Sequence, residues 1–278
     1  MNDEAATHPL SGRRIALLES REAERLAAML REQGAEVVAC PMLAIVDPAD
    51  TAPVLAWLGR FVAEPVDDLI LLTGEGLSRL HDLARRAGIA PAFLTGVGRS
   101  RTITRGPKPA RALRALGLSP SLRAEHPTTD GIIALLSGLD LSGRRIGVQL
   151  YPGAVDTRLV DFLRAAGAAP DPVTPYEYAA NASDAAIAGL IDRMAADEID
   201  AIAFTSAPQI RRLFEAAHAS GRAESLDAGL RQTTIAAVGP VVADELKRHG
   251  LTATIVPSDA YFMKPLVSAI VAALTAPA

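Results

Sequence analysis

GRRIALLESREAERLAAMLREQGAEVVA, residues 12–39, decides the fold. Its apolar run at residues 15–18 is short and reads as a buried strand. Residues 21–33 follow as an amphipathic helix closed by Gly34, and residues 36–39 form the next strand. Strand, helix and strand in so short a stretch make a βαβ unit. The same grammar returns at residues 69–73, 102–104, 146–150, 201–205, 235–238 and 254–256, each expected as a strand, with helical stretches after most. A last helix is expected at residues 263–274. Apolar runs joined by crossover helices mark parallel strands buried on both faces, so the expected class is α/β with parallel sheets.

Laid on itself, the chain repeats. Gly12-Arg-Arg-Ile15 recurs as Gly143-Arg-Arg-Ile146, 131 positions on. Gln33-Gly34-Ala35 answers Ala166-Gly167-Ala168, Leu72-Thr73-Gly74 answers Phe204-Thr205-Ser206, and Gly106-Pro107 with Gly117 answers Gly239-Pro240 with Gly250, at offsets of 132 or 133. Ordered matches at nearly one offset indicate an internal duplication. Two copies are too few for a solenoid, so the expected form is a pair of similar open sheets. Such sheets bind ligands outside the carboxyl ends of their strands, which places the expected ligand in the cleft between the two halves.

Composition narrows what that ligand is. The 278 residues suffice for two domains, and the formal net charge of −4, with no stretch that combines clustered Lys/Arg with aromatics, argues against nucleic acid. Residues 1–10 are polar and acidic, and no apolar run is long enough to span a bilayer, so neither secretion nor a membrane is expected. Cys40 is the only cysteine, which excludes an intrachain disulfide and a cysteine-based zinc site and fits the cytoplasm. His8, His81, His126, His218 and His249 are too far apart in sequence for a helical metal pair, so no metal is expected. Gly74-Glu75-Gly76 lacks the third glycine of a dinucleotide fingerprint, and no Gly-Lys-Ser/Thr is present, so no nucleotide cofactor is implied.

Each copy has one turn where a buried strand ends in a hydroxyl residue and a helix begins at once: Thr73-Gly74-Glu75-Gly76 and Thr205-Ser206-Ala207-Pro208. The first N–H groups of a helix lack internal partners, so such turns suit an anion, and they equally suit a Thr or Ser that caps its own helix. Gly106-Pro107 and Gly239-Pro240 each open a helix. Arg99, Arg101, Arg105 and Lys108 are expected as a positive cluster around the first copy's turns. Thr128-Thr129-Asp130 reads as a cap before the helical run at 132–136. Tyr176 and Tyr178 stand where the second copy leaves its lobe; a phenol there either donates to a leaving hydroxyl or an anionic intermediate, or bonds locally.

Taken together these segments resemble the uroporphyrinogen-III synthase family, from Gly12 to near the C-terminus. Residues 200–210 look like its strand ending in Thr-Ser, residues 235–240 with Gly250 like its Gly-Pro turn and helix, and Val173-Thr-Pro-Tyr-Glu177 like its tyrosine-bearing crossover. Leu17-Leu-Glu-Ser-Arg21 is similar to the opening strand and its turn, and Arg105-Gly-Pro-Lys108 to a variant of the Gly-Pro turn. Two positions depart from the pattern: Val242 stands where a threonine is usual, and Glu75 adds a negative charge to the first Thr turn.

The resemblance implies two flavodoxin-like (HemD-like) lobes with parallel sheets, joined by a two-segment hinge. Their expected extents are residues 1–42 with 179–278, and residues 43–178. It implies a carbon–oxygen hydro-lyase that cyclises hydroxymethylbilane, which carries eight carboxylates, to uroporphyrinogen III. The terminal ring is inverted and water is lost, in service of haem, sirohaem or cobalamin synthesis. No cofactor is implied, and the expected form is a cytoplasmic monomer. Tyr176 becomes the expected catalytic residue. Carboxylate binding falls to Arg21, Thr73, Gly74, Arg105, Thr129, Thr205, Ser206, Ala207 and Gly239, largely through backbone groups. The competing expectation is a non-catalytic module of the same fold that senses an anionic small molecule.

Overall fold

The structure, a computed structural model, describes residues 8–153 and 157–275. Its strands are β1 (Arg14–Leu17), β2 (Glu36–Ala39), β3 (Leu43–Val46), β4 (Asp68–Leu71), β5 (Arg101–Thr104), β6 (Leu122–Arg123), β7 (Arg145–Gln149), β8 (Ala169–Val173), β9 (Glu177–Ala180), β10 (Ala201–Phe204) and β11 (Thr234–Ala237). The chain divides into two compact units, one running to Ala44 and resuming at Ala179, the other Ile45–Tyr178. The first carries a parallel sheet in the order β11-β10-β1-β2, the second a parallel sheet in the order β6-β5-β4-β7-β8. The chain passes between units in β3 and β9, which pair with each other.

The strands are short apolar runs because both sheet faces are covered. Along β4, Leu69 and Leu71 enter one core cluster, with Trp57, Phe61 and Phe93, while Ile70 enters another, with Ile103, Ile146 and Val148. Alternate side chains point to opposite faces of a strand, so an unbroken apolar run is what two packed helical layers require. In the first unit Ile15, Leu17, Ile202 and Phe204 lie in one cluster with Leu26 and Leu30 of the helix Ala23–Arg31.

One expected strand is not formed. Residues 254–256 make a single parallel bridge, Ile255 to Ala236, and Pro257, with no N–H to donate, follows two residues later. Conversely β8 forms despite Pro170 and Pro172, because it lies at the sheet edge: alternate residues face away from the partner, and the prolines take those places.

The duplication is cross-assembled. β1 and β2 come from the first copy and join β10 and β11 of the second; β4 and β5 come from the first and join β7 and β8 of the second. The orders β2-β1-β10-β11 and β8-β7-β4-β5 are equivalent, with β6 as an extra edge strand. Winding reverses between β1 and β10 and between β7 and β4, and these reversals are the topological switch points at which open α/β sheets bind ligands.

The repeated Gly-Arg-Arg-Ile is structural. Asp200 accepts from Arg14 N–H at 2.7 Å and from the Arg13 guanidinium at 2.9 Å, tying the start of β1 to that of β10. In the other unit Arg144 Nε reaches Asp68 at 2.5 Å and Arg145 N–H donates to Asp67 at 2.8 Å, the same tie between β7 and β4. Burial alone would raise the Asp200 carboxyl, but the Arg14 N–H and the Arg13 guanidinium outweigh it and hold it below the usual range. A carboxyl lowered on folding stabilises above its unfolded value and loses that contribution as pH falls through its folded value. Asp200→Asn is therefore expected to lower the urea midpoint at pH 7, and the gap to wild type to close as pH drops below about 4, followed by circular dichroism.

Candidate functional site

At the switch point of the Ile45–Tyr178 unit, β4 is followed after one residue by Thr73, which is extended and caps the helix Gly74–Arg86 by accepting from Gly76 N–H at 3.0 Å. Beside it, at the end of β7, the fully buried Gln149 accepts from Thr73 N–H at 2.9 Å through Oε1 and donates to the Leu150 carbonyl through Nε2. A side chain would be crowded at both neighbouring positions. A Cβ on Gly74 would lie 2.8 Å from the Lys108 carbonyl oxygen, and one on Gly76 would lie 1.9 Å from Gln149 Nε2.

Tyr176 meets this turn. Its hydroxyl stands 3.4 Å from Thr73 Oγ1, its ring packs edge-on against Tyr178, and only 2% of it is exposed. Burial pushes the phenol above its ordinary value, and the hydrogen bonds to Thr73 and Tyr178 pull only part of the way back, so it is a neutral O–H donor across the physiological range. Tyr176 also lines a groove of about 630 Å³ with Trp57, Pro152 and Glu177.

The expected positive cluster assembles only in part: the Lys108 backbone lies against Gly74, and Arg105 is nearby, but Arg99 and Arg101 are at the other end of β5. Arg105 follows β5 at its carboxyl end, bonded to Leu71 O through its N–H, with its guanidinium 5.1 Å from the Tyr151 ring centroid. Arg99 and Arg101 precede or begin the same strand, about 13 Å away at 3.3 Å per residue. Arg101 is bound there to the buried Asp68. Nor does Glu75 leave an uncompensated charge in the turn, since Arg79 pairs with it at 2.8 Å and with Asp47 at 3.0 Å. Thr128, not Thr129, carries the cap of the helix Thr129–Ser137, accepting from Gly131 N–H at 3.0 Å, and Thr129 is the first residue within it.

The other unit repeats the design with different parts. Thr205 follows β10, Ser206 caps the helix Ala207–Ala219, and Gln209, buried in the first turn, accepts from Thr205 N–H at 2.8 Å and Ser206 N–H at 3.1 Å. Gln209 Nε2 donates to Leu18 O and Thr205 Oγ1. The Thr205 hydroxyl donates to Glu19, whose other carboxylate oxygen accepts from the N–H groups of Ser20 and Arg21. Arg21 extends its exposed side chain to 4.0 Å from Glu22. Gly239 is seated beside the end of β10 by the Val238 N–H bond to Phe204 O, and Tyr261 covers it 2.9 Å from where a Cβ would stand. Val242 faces inward, 4% exposed in the core.

Gln149, Gln209 and Glu19 are the parts that the sequence reading missed. Gln209 carried a signal, since Ser206-x-x-Gln209 has capping-box spacing. Gln149 carried only its position at the end of an apolar run. Among the described residues no group of three or more His, Cys, Asp and Glu is arranged to hold a metal, and no helix is long and apolar enough to cross a membrane.

These features define a duplicated, cross-assembled parallel α/β protein with a polar switch point in each unit. The chain belongs to the uroporphyrinogen-III synthase family: the family described as "Uroporphyrinogen-III synthase HemD" matches residues 24–268. An uncharacterized protein of Bacillus subtilis strain 168, YjjA, is 33% identical over 249 residues, covering 89% of this chain and 91% of that protein. A putative uroporphyrinogen-III synthase of Methanothermobacter thermautotrophicus is 28% identical over 167 residues, 59% of this chain and 63% of that protein. Of solved structures, a mutant uroporphyrinogen III synthase of the extremely thermophilic bacterium Thermus thermophilus matches with a TM-score of 0.71 at 25% identity, covering 95% of this chain and 99% of that one. The wild-type protein in another crystal form matches with a TM-score of 0.56 at 27% identity, covering 95% and 98%. The two-lobed α/β fold expected from the sequence is thereby established, and the relatives support a uroporphyrinogen-III synthase-like function.

Proposed function

We propose that the chain is a uroporphyrinogen-III synthase, a cytoplasmic monomer that closes hydroxymethylbilane to uroporphyrinogen III without a cofactor. The observation that carries this reading is the buried, protonated Tyr176 phenol 3.4 Å from Thr73 Oγ1 at a switch point. In it, the C–O bond of the hydroxymethyl group breaks with its electron pair on oxygen, and Tyr176 gives that oxygen a proton, releasing water. The substrate's carboxylates are held at the helix starts after Thr73-Gly74 and Thr205-Ser206-Ala207, beside Gly239 and Thr129, with Arg105 and Arg21 as supporting charges. Because a fold that positions the terminal ring does most of the work, the proton donor adds a limited factor.

The test is a coupled assay: hydroxymethylbilane is generated by its own synthase, this protein is added, and the oxidised uroporphyrin isomers are separated. Spontaneous closure gives type I only, so type III above the control is the expected result. Tyr176→Phe is expected to slow it about tenfold, below the roughly hundredfold or more usual for loss of a general acid, because the leaving group departs readily unaided. One observation favours a second reading, a non-catalytic binding module: Glu19 occupies the Ser20 and Arg21 N–H groups and the Thr205 hydroxyl with a carboxylate of the protein's own. Type I alone from folded protein would leave that reading standing and sink the first.

A further inference from the structure

We infer that Thr73 carries a two-position hydroxyl, set by Gln149, which stabilises Tyr176 once Tyr176 has given up its proton; the inference rests on the reading of Tyr176 as proton donor. The Gln149 amide has no choice of orientation. It lies between a backbone donor, Thr73 N–H, and a backbone acceptor, the Leu150 carbonyl, so Oε1 faces Thr73 and Nε2 faces Leu150. The Thr73 hydroxyl is 3.3 Å from that Oε1 and 3.4 Å from Tyr176 Oη, and it already accepts from Gly76 N–H.

A hydroxyl has one proton to give. Directed at Gln149, it leaves Thr73 as acceptor for the Tyr176 O–H. Turned toward Tyr176, it makes Thr73 a donor. Gln149 Oε1 keeps the Thr73 N–H bond in both positions, so the turn strands no buried group. When the substrate's C–O bond breaks, the Tyr176 proton goes to the departing oxygen to form water, leaving a substrate cation and a tyrosinate. The Thr73 proton then swings to the tyrosinate oxygen. When the ring closes and its carbon loses a proton, Tyr176 recovers one and Thr73 turns back. Thr73 and Gln149 act here as positioning residues.

The charged and titratable groups around Tyr176 are fixed independently of this relay. Glu75, paired with Arg79, opposes ionisation of the phenol, while Arg105 favours it, and Tyr178 bonds to the phenol from its edge-on position. Glu177 shares the groove wall.

The relay is tested without substrate by placing 3,5-difluorotyrosine at position 176, whose phenol ionises at much lower pH, and following fluorine NMR shifts against pH. Thr73→Val is expected to move that titration up by about one unit, the worth of a hydrogen bond to a charged group, and Thr73→Ser to restore it. Gln149→Glu, whose charge retains the hydroxyl proton, is expected to move it up as well. A titration unmoved by Thr73→Val, or not restored by Thr73→Ser in a variant with native circular dichroism, overturns the relay. Type III product alongside an unmoved titration overturns the relay alone. A moved titration alongside type I product overturns the functional reading and, with it, the relay's part in catalysis.

Discussion

Asp68→Ala is expected to lower stability by about 3 kcal/mol, the low end for breaking a buried ion pair. Asp68 is fully buried at the start of β4, with Arg101 Nε on one carboxylate oxygen and Arg144 Nε at 2.5 Å on the other. Removing it leaves two guanidinium groups with like charge and no shared partner. Each side chain retains 32% exposure, so water recovers part of the loss, which places the cost at the low end. Trp57, the chain's one tryptophan, lies in the core of the same unit and reports the transition by fluorescence. The expected signature is a lower urea midpoint at unchanged slope. Replacing Asp68, Arg101 and Arg144 together by leucine should cost less than Asp68→Ala alone; a larger cost would show that the triad stabilises in its own right.

Gly76→Ala is expected to cost about 1–3 kcal/mol and, on the synthase reading proposed above, to cut formation of the type III isomer by no more than the roughly tenfold expected of Tyr176→Phe. The added methyl would stand 1.9 Å from Gln149 Nε2, and a side-chain end can move, so no backbone clash is forced. What the movement gives up is the amide's place between Thr73 N–H and Leu150 O, leaving both buried groups without it. Thr73 then loses the acceptor that takes its hydroxyl proton and leaves its oxygen to accept from Tyr176. Steady-state rates with isomer analysis, beside urea melts, separate the two effects. A stable variant of full activity would mean that Gln149 positions nothing.

The α/β class and most central strands were legible because a strand covered on both faces must be apolar along most of its length, and residues 15–18, 69–72 and 146–148 carry no polar side chain. The two Thr turns were legible because a hydroxyl residue at the join of strand and helix has a physical reason to be there. Gly-Arg-Arg-Ile revealed the duplication but not its purpose, which needs Asp200 and Asp68 brought in from distant sequence. Of the expected cluster, Arg105 and Lys108 lie by the first turn, and Arg99 and Arg101 do not for a reason of length: four residues of strand carry the chain from one end of the sheet to the other. β8 was hidden by its prolines, which are harmless at an edge. Gln149 and Gln209 were hidden because a buried glutamine is recognised by the backbone groups it satisfies, and those belong to other segments.

The cross-assembled duplication also bears on how the chain acquires its structure. The unit Ile45–Tyr178 is continuous, so all its strands are available once residue 178 has been made. The other unit is not: β1 must wait for β10, whose register sets Ile15 beside Ala201, and no local contact can close that loop cheaply. Folding the continuous unit first draws the ends of the connecting strands together, since β3 and β9 pair, and shortens the remaining search to the 25 residues between Leu17 and Leu43 and the 20 between Ala180 and Ala201. During synthesis β1 and β2 therefore spend the longest time as an apolar βαβ fragment without a sheet, and this is the interval in which the nascent chain is most exposed to aggregation.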